Sequence, residues 1–230
     1  MKIKTVNLTK VYTVGNSKVV AVNNVNLEIG EHKFIAVTGP SGSGKTTLLN
    51  LIGLNDKPTC GKIFIDGEDT SNWTNAKRRR VRLLRMGFVF QTFNLLPTLT
   101  ALENVELPMA LAGKSQKEQR EKATKLLKNL GLGNRIHHRP KELSMGEMQR
   151  VAIARAMVNN PEVIIADEPT GELDSKTAKE IINLLLNVKE EWKTTVIVAT
   201  HDEKIVEAAD EIYALKDGQL TINSTIQGFG

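Results

Sequence analysis

The chain has one cysteine, Cys60, only 4% aromatic residues, and no uninterrupted apolar run of the length that crosses a bilayer. Each shortage excludes something. A single thiol cannot close an internal disulfide, so the fold must rest on a packed core, and the composition fits a reducing compartment. The start, Met1-Lys2-Ile3-Lys4, supplies no apolar signal core, and the expected location is cytoplasmic. The net charge of +5 raises the question of a nucleic-acid partner. The few aromatics are not interleaved with the basic residues, which argues against a stacking platform for single strands. The densest cluster, Lys77-Arg78-Arg79-Arg80 with Arg82 and Arg85, reads as a solvated basic helix.

What is present points to α/β architecture. With 230 residues and 40% hydrophobic content the chain can bury a substantial core. Phe34 to Thr38, Val163 to Ala166 and Thr195 to Ala199 are short apolar runs, the pattern of strands buried on both faces, and Phe88-Val89-Phe90 suggests another. Between two of them, Ser175 to Glu191 carries helical spacing at Ala178, Ile181, Ile182 and Leu185. Strand, helix, strand predicts a parallel sheet. The alternation Val25, Leu27, Ile29 and the Asp66-Gly67 turn after Ile63-Phe64-Ile65 predict an antiparallel layer near the N-terminus. From Thr98 to about Ala156 the chain reads mainly helical, with Lys117 to Leu130 amphipathic and Gly131 as a stop. The expectation is one domain over 1–230, a core from 1–91 and 160–230, and a helical insertion at 92–159. The last few residues are expected to be loosely held.

Two segments carry recognisable chemistry. Gly39-Pro40-Ser41-Gly42-Ser43-Gly44-Lys45-Thr46 is a phosphate-loop pattern placed between a predicted strand and a helix predicted from Thr46 to Ile52. Its glycines let backbone N–H groups turn toward phosphate oxygens, and the helix start adds a positive dipole end. Lys45 is suited to the β- and γ-phosphates and the Thr46 hydroxyl to Mg²⁺. Ser41, Gly42 and Ser43 line the cradle, and Thr47 lies within reach of the α-phosphate. Val163-Ile164-Ile165-Ala166-Asp167-Glu168 then puts two carboxylates at the C-terminal end of a buried strand, where ligands sit in open α/β sheets. Asp167 suits Mg²⁺, and Glu168 suits a base that orients and deprotonates water attacking the γ-phosphate. A third segment, Leu143-Ser144-Met145-Gly146-Glu147, starts a helix running to about Asn159. Ser144 is a good N-cap there; taken alone, this reads as a capped core helix with an Arg150/Arg155 face.

In order along the chain stand the phosphate loop, Gln91, the Leu143 to Glu147 segment, Asp167-Glu168, Leu173-Asp174 and His201. In this the chain resembles, over essentially its whole length, the nucleotide-binding subunit of ATP-binding-cassette (ABC) transporters. Phe88-Val89-Phe90-Gln91, Phe93-Asn94-Leu95-Leu96-Pro97 and Glu103-Asn104-Val105-Glu106-Leu107-Pro108 are similar to one branch, the lipoprotein-releasing, macrolide-exporting and cell-division-associated ABC ATPases. The resemblance implies a P-loop NTPase of ABC ATPase fold: a RecA-like parallel-sheet core, an N-terminal antiparallel β layer and a helical signature subdomain. It implies ATP and Mg²⁺, a homodimer that sandwiches ATP, and a separate integral membrane permease at the cytoplasmic face, with few spans and a large extracytoplasmic domain. By the same resemblance Tyr12 stacks on adenine, and Gln91 reaches Mg²⁺ and the attacking water. His201 contacts the γ-phosphate. Ser144, Gly146 and Glu147 meet the γ-phosphate bound on the opposite subunit. Asp174 belongs to the loop that couples the two sites. The stretch after Gln91, with Thr98 and Leu99, lines the groove for the permease's coupling helix. The catalytic set is then Glu168, His201, Gln91 and Lys45.

Two positions depart from the family pattern. Met145 stands where glycine is commoner, and a backbone at φ > 0 there would be strained by a side chain. Glu172 adds a charge where alanine usually precedes Leu-Asp. Other functions are also open to such a chain. A regulatory ABC ATPase of a cell-envelope or division complex shares every ATP motif. A DNA-repair or translation type usually carries long coiled coils or two fused cassettes, for which this chain has no room. A GTPase would show Asn-Lys-x-Asp, which is absent.

Overall fold

The computed structural model describes residues 1–225. An antiparallel pair, β1 (Ile3–Val14) and β2 (Ser17–Ile29), opens the chain, and β3 (Phe34–Thr38) then leads through the glycine loop into α1 (Lys45–Ile52). β4 (Cys60–Ile65) and the two-residue β5 (Glu68–Asp69) return to the first pair, giving a sheet of order β2-β1-β4-β5. The basic helix α2 (Asn75–Arg85) runs into β6 (Met86–Phe90), followed by three helices, α3 (Ala101–Leu111), α4 (Gln116–Asn129) and α5 (Met145–Met157). The chain closes with β7 (Val163–Asp167), α6 (Ser175–Trp192), β8 (Thr195–Ala199), α7 (Glu203–Glu207), β9 (Glu211–Lys216) and β10 (Gln219–Thr225). The second sheet has the order β10-β9-β3-β8-β7-β6. All its neighbours pair in parallel except β10, which turns back antiparallel along the edge.

Alternation along the parallel strands divides two cores. Phe34, Ala36, Ile164, Ala166, Val196 and Val198 face α3, α4, α5 and α6, where Val105, Leu127, Ile153 and Ile181 meet them. Ile35, Val37, Ile165 and Ile197 face the other way, onto Leu48 and Ile52 of α1 and onto Ile3, Ile29 and Ile63 of the antiparallel sheet. Strands buried on both faces need apolar residues at every position, which is why these runs are continuous. The three inserted helices each start on a capping box, Thr100 with Glu103, Ser115 with Glu118 and Ser144 with Glu147, so their limits are set by local chemistry. Gly131, at φ +78°, follows α4 and its cap residue Leu130. Buried Asn104 accepts from Leu96 N and donates to the carbonyls of Leu96, Leu99 and Thr100, fastening the loop before α3.

The basic helix is only in part a solvated face. Arg78 is only 5% exposed and donates to the Asp56 carbonyl at 2.9 Å; Arg82 donates to the Leu54 carbonyl at 2.8 Å. Arg85 bridges Glu162 and Asp66. The arginines bind carbonyls in the loop after α1 and carboxylates of neighbouring elements, while Arg79 and Arg80 remain exposed. The expectation for the last few residues falls outside the described part of the chain.

Candidate nucleotide site

The glycine loop is clamped between two strands of different sheets. A Cβ on Gly39 would lie 2.1 Å from the Leu215 carbonyl of β9, and one on Gly44 would lie 2.0 Å from the Ala21 carbonyl of β2. Both glycines also have positive φ, +146° and +104°, so no other residue fits either position. Ser43 N donates to Pro40 O at 3.2 Å, and Gly218 N donates to Ser43 O at 2.9 Å, fixing the curl. The Ser43 hydroxyl is buried without a hydrogen-bond partner among the described residues. Thr47 lies beyond, within hydrogen-bonding reach of the Tyr12 hydroxyl. The helix starts at Lys45, one residue before the expected Thr46.

Lys45 curls back over its own loop. Its Nζ donates to the carbonyls of Gly39 (2.8 Å) and Pro40 (3.2 Å) and lies 3.8 Å from Glu168 Oε1. Glu168 Oε2 is 2.9 Å from His201 Nδ1. Lys45, Glu168 and His201, three of the residues picked from the sequence, therefore form one line across the C-terminal edge of the parallel sheet. Glu168 is 16% exposed and His201 75%, so the line runs from a nearly buried ammonium to open solvent. The Glu168 backbone sits at φ +45°, in the left-handed region, with its N–H donating to Ala199 O and its carbonyl accepting from Gly171 N. A non-glycine residue held there costs about 1–3 kcal/mol, and such strain persists where the surroundings over-determine it.

Asp167, the last residue of β7, accepts a hydrogen bond from Thr46, while its Oδ1 is buried with no partner among the described residues. Burial pushes its carboxyl above the usual aspartate range and the Glu168 charge adds to this, against the Thr46 hydrogen bond and Lys45. An orphaned, desolvated carboxylate oxygen beside a threonine hydroxyl suits Mg²⁺, which takes one or two protein oxygens and completes its shell with water and substrate phosphates. Among the described residues, no group of three or more His, Cys, Asp or Glu could hold a metal ion.

Tyr12 presents a partly exposed ring near the loop. Its hydroxyl donates to Asp56 Oδ2 at 2.9 Å, and Lys10 Nζ lies 4.9 Å from the ring centre while binding Asp56 Oδ1 at 2.8 Å. Gln91, just past β6, donates from Nε2 to Glu172 Oε1 at 2.9 Å.

The signature segment lies apart. Among the described residues, no hydrogen bond or ion pair joins Ser144, Gly146 or Glu147 to Lys45, Glu168 or His201. Ser144 caps α5, accepting from Glu147 N at 3.2 Å, and Glu147 accepts in turn from Ser144 N at 2.8 Å and from Arg135. Met145 is the first helical residue, has no positive φ and is exposed, so the strain considered for it does not arise. A Cβ on Gly146 would meet Thr177 Cγ2 at 2.5 Å; the Thr177 hydroxyl donates to Asp174 Oδ2 at 2.6 Å. Asp174 is the N-cap of α6, accepting also from Lys176 N and Thr177 N, and within the chain this cap is its role.

Gln149 was not singled out by the sequence. It is fully buried and its Nε2 donates to the Pro169 carbonyl at 2.6 Å, tying α5 to the residue after Glu168. A signal existed: Gln149 shares the buried helical face of Ile153 and Ala156, a polar residue where the spacing calls for an apolar one.

A glycine loop, its lysine and a glutamate–histidine pair at the edge of a parallel sheet define a phosphate-loop ATPase. The family model described as ABC transporter matches residues 22–171. An ABC transporter ATP-binding protein of Thermotoga maritima is 49% identical, over 94% of this chain and 92% of its own length. The lipoprotein-releasing system ATP-binding protein LolD of Rickettsia felis is 46% identical, over 94% and 96%. A solved structure of the cassette MJ0796 of Methanocaldococcus jannaschii, a dimer in a post-hydrolysis state bound to ADP and Pi, superposes with a TM-score of 0.91 at 45% identity, covering 99% of this chain and 100% of that one. The chain belongs to the ABC transporter family, as an ATP-binding subunit that hydrolyses ATP.

Proposed function

We propose that two copies of the chain close around ATP·Mg²⁺ and that this closure drives a separate integral membrane permease of the lipoprotein-releasing or macrolide-export type at the cytoplasmic face. The observation that carries the reading is the Lys45–Glu168–His201 line beside the glycine loop. Lys45, freed from its loop carbonyls, balances the β- and γ-phosphates. Glu168 accepts the proton of the attacking water, held by its fixed backbone and by His201, which also contacts the γ-phosphate. Tyr12 stacks on adenine, and Gly39 to Thr47 cradle the phosphates. Thr46, Asp167 and Gln91 hold Mg²⁺, whose charge when bound neutralises the transferring phosphoryl group. Ser144, Gly146 and Glu147 lie apart from this line, which suits a role toward the γ-phosphate of the opposite copy, with Asp174 near the same face.

No helix among the described residues is long and apolar enough to cross a membrane; in this reading the permease supplies the pathway. For its docking the relevant surface is a groove of about 880 Å³ between α2, β6 and α3, lined by Arg79, Phe88, Phe90, Asn94 and Leu111. Asn94 represents the stretch after Gln91 there; Thr98 and Leu99 do not line it. Co-purification with a division protein instead of a permease would favour the regulatory alternative. Glu168→Gln is expected to abolish turnover while leaving an ATP-dependent dimer on size-exclusion chromatography. Near-normal turnover in that variant would sink the role given to Glu168.

A further inference from the structure

Gln91 can serve a metal through one end only. The amide offers an acceptor at Oε1 and donors at Nε2, and a cation takes the oxygen. Something must choose which end faces inward. Glu172 does this: its Oε1 accepts from Gln91 Nε2 at 2.9 Å, and a carboxylate at neutral pH only accepts, so it can engage only the nitrogen end. The orientation of the amide therefore follows from its partner's chemistry. Gly171 leaves room for the approach: a Cβ there would lie 3.2 Å from Gln91 Nε2, and the amide would have to give by a few tenths of an ångström. Among the described residues Glu172 has no cation within ion-pair distance, so its carboxylate is not committed elsewhere, and both side chains are exposed, so neither is needed for the core.

We propose that Glu172 is a positioning residue for the divalent cation: it pins the Gln91 nitrogen and leaves the Gln91 oxygen free for the metal held by Asp167 and Thr46. The inference rests on the reading of Gln91 as a group that reaches Mg²⁺. It gives the departure from the family's usual alanine a sign: the charge at Glu172 supports metal binding through a neighbour.

The test is Mn²⁺ binding in the presence of ATP, followed by electron paramagnetic resonance, in a Glu168→Gln background so that no turnover enters. Glu172→Ala, Gln91→Ala and the double variant are compared after melting curves show that each is folded. Outer-shell partners of metal ligands are typically worth about 10–100-fold in affinity, so Glu172→Ala is expected to weaken Mn²⁺ by about tenfold. Gln91→Ala should weaken it at least as much, and the double variant no more than Gln91→Ala alone. An unchanged Mn²⁺ affinity in Glu172→Ala overturns the proposal, and so does a loss that adds in full to that of Gln91→Ala, because a through-space charge effect adds where positioning does not. An unchanged affinity in Gln91→Ala instead overturns the reading of Gln91 itself.

Discussion

Replacing Gln149 by methionine separates what the α5–Pro169 tie does for stability from what it does for catalysis. Gln149 is fully enclosed; its Nε2 donates to the Pro169 carbonyl at 2.6 Å and its Oε1 is buried with no partner among the described residues. Methionine keeps the length and unbranched shape of the side chain, so packing is nearly conserved. Stranding the Pro169 carbonyl costs about 1–3 kcal/mol, and removing the orphaned Oε1 returns a similar amount. The two nearly cancel, and the net change should stay within about 1 kcal/mol, a melting shift of about 2–4 °C for a chain of this size. Gln149→Ala, which leaves a cavity in place of most of the side chain, should cost more, about 2–4 kcal/mol. Catalysis has no such cancellation. Pro169 follows Glu168, whose left-handed backbone depends on its surroundings, and a misplacement of about 1 Å at a reacting group can cost about 10²-fold. The methionine variant should therefore lose at least about tenfold in kcat with little change in the KM for ATP. Thermal melting and steady-state ATPase assays on the same preparation decide it. A melting point lowered by more than about 10 °C would refute the cancellation; an unchanged kcat would refute the claim that the tie positions Glu168.

Two further outcomes follow from the same geometry. Gly44→Ala should destabilise the chain and abolish nucleotide binding, since its Cβ would overlap the Ala21 carbonyl, whereas Gly42→Ala, at φ +78° with open space around it, should lower stability by only about 1–2 kcal/mol; equal melting points for the two would contradict the clamp. Burial raises the Asp167 carboxyl above the ordinary aspartate value, so its charge, and with it Mg²⁺-dependent nucleotide affinity, is present above that raised value and fades as pH falls through it. Fluorescent-nucleotide titrations with Mg²⁺ should therefore weaken at a higher pH than an ordinary aspartate would dictate, and Asp167→Asn should remove that step; a pH profile unchanged by Asp167→Asn would count against Asp167 as the metal-facing acid.

The parts of the fold that could be read from the sequence are those written in local chemistry. β3, β7 and β8 are apolar at almost every position because both faces are covered, and α5 begins at Ser144 because Ser144 and Glu147 cap each other. β9 and β10 are not among the expected strands, although Ile212 to Leu215 is a four-residue apolar run and Asp217-Gly218 marks the turn to the edge strand β10, so both signals were present in the sequence. Arg78, Arg82 and Arg85 depart from the expected exposure, while Arg79 and Arg80 meet it. Charge on a helix predicts solvent exposure, but the carbonyls of Leu54 and Asp56 accept from Arg82 and Arg78, and no pattern within residues 75–85 encodes those partners. Met145 failed in the opposite direction, since the expected strain presumed a backbone that the Ser144 cap never adopts.

The candidate site was legible as separate words and not as a sentence, because the grammar is spatial. The contacts between the motifs converge on one short turn, from Asp167 to Asp174. The phosphate loop reaches it through Thr46 to Asp167 and Lys45 to Glu168. His201 meets Glu168, and Asp202 accepts from Thr170. Gln149 of the signature helix holds Pro169, Gln91 holds Glu172, and Gly146 packs on the threonine that binds Asp174. This convergence accounts for the positive φ at Glu168: strain of that size survives only where many contacts fix a segment at once. Under the proposed pairing it also supplies a physical route by which nucleotide at the loop and a second copy at the start of α5 would bear on the same glutamate. The route is a rigid turn gripped from several sides, so displacing any one grip should register at Glu168 before it registers in the core.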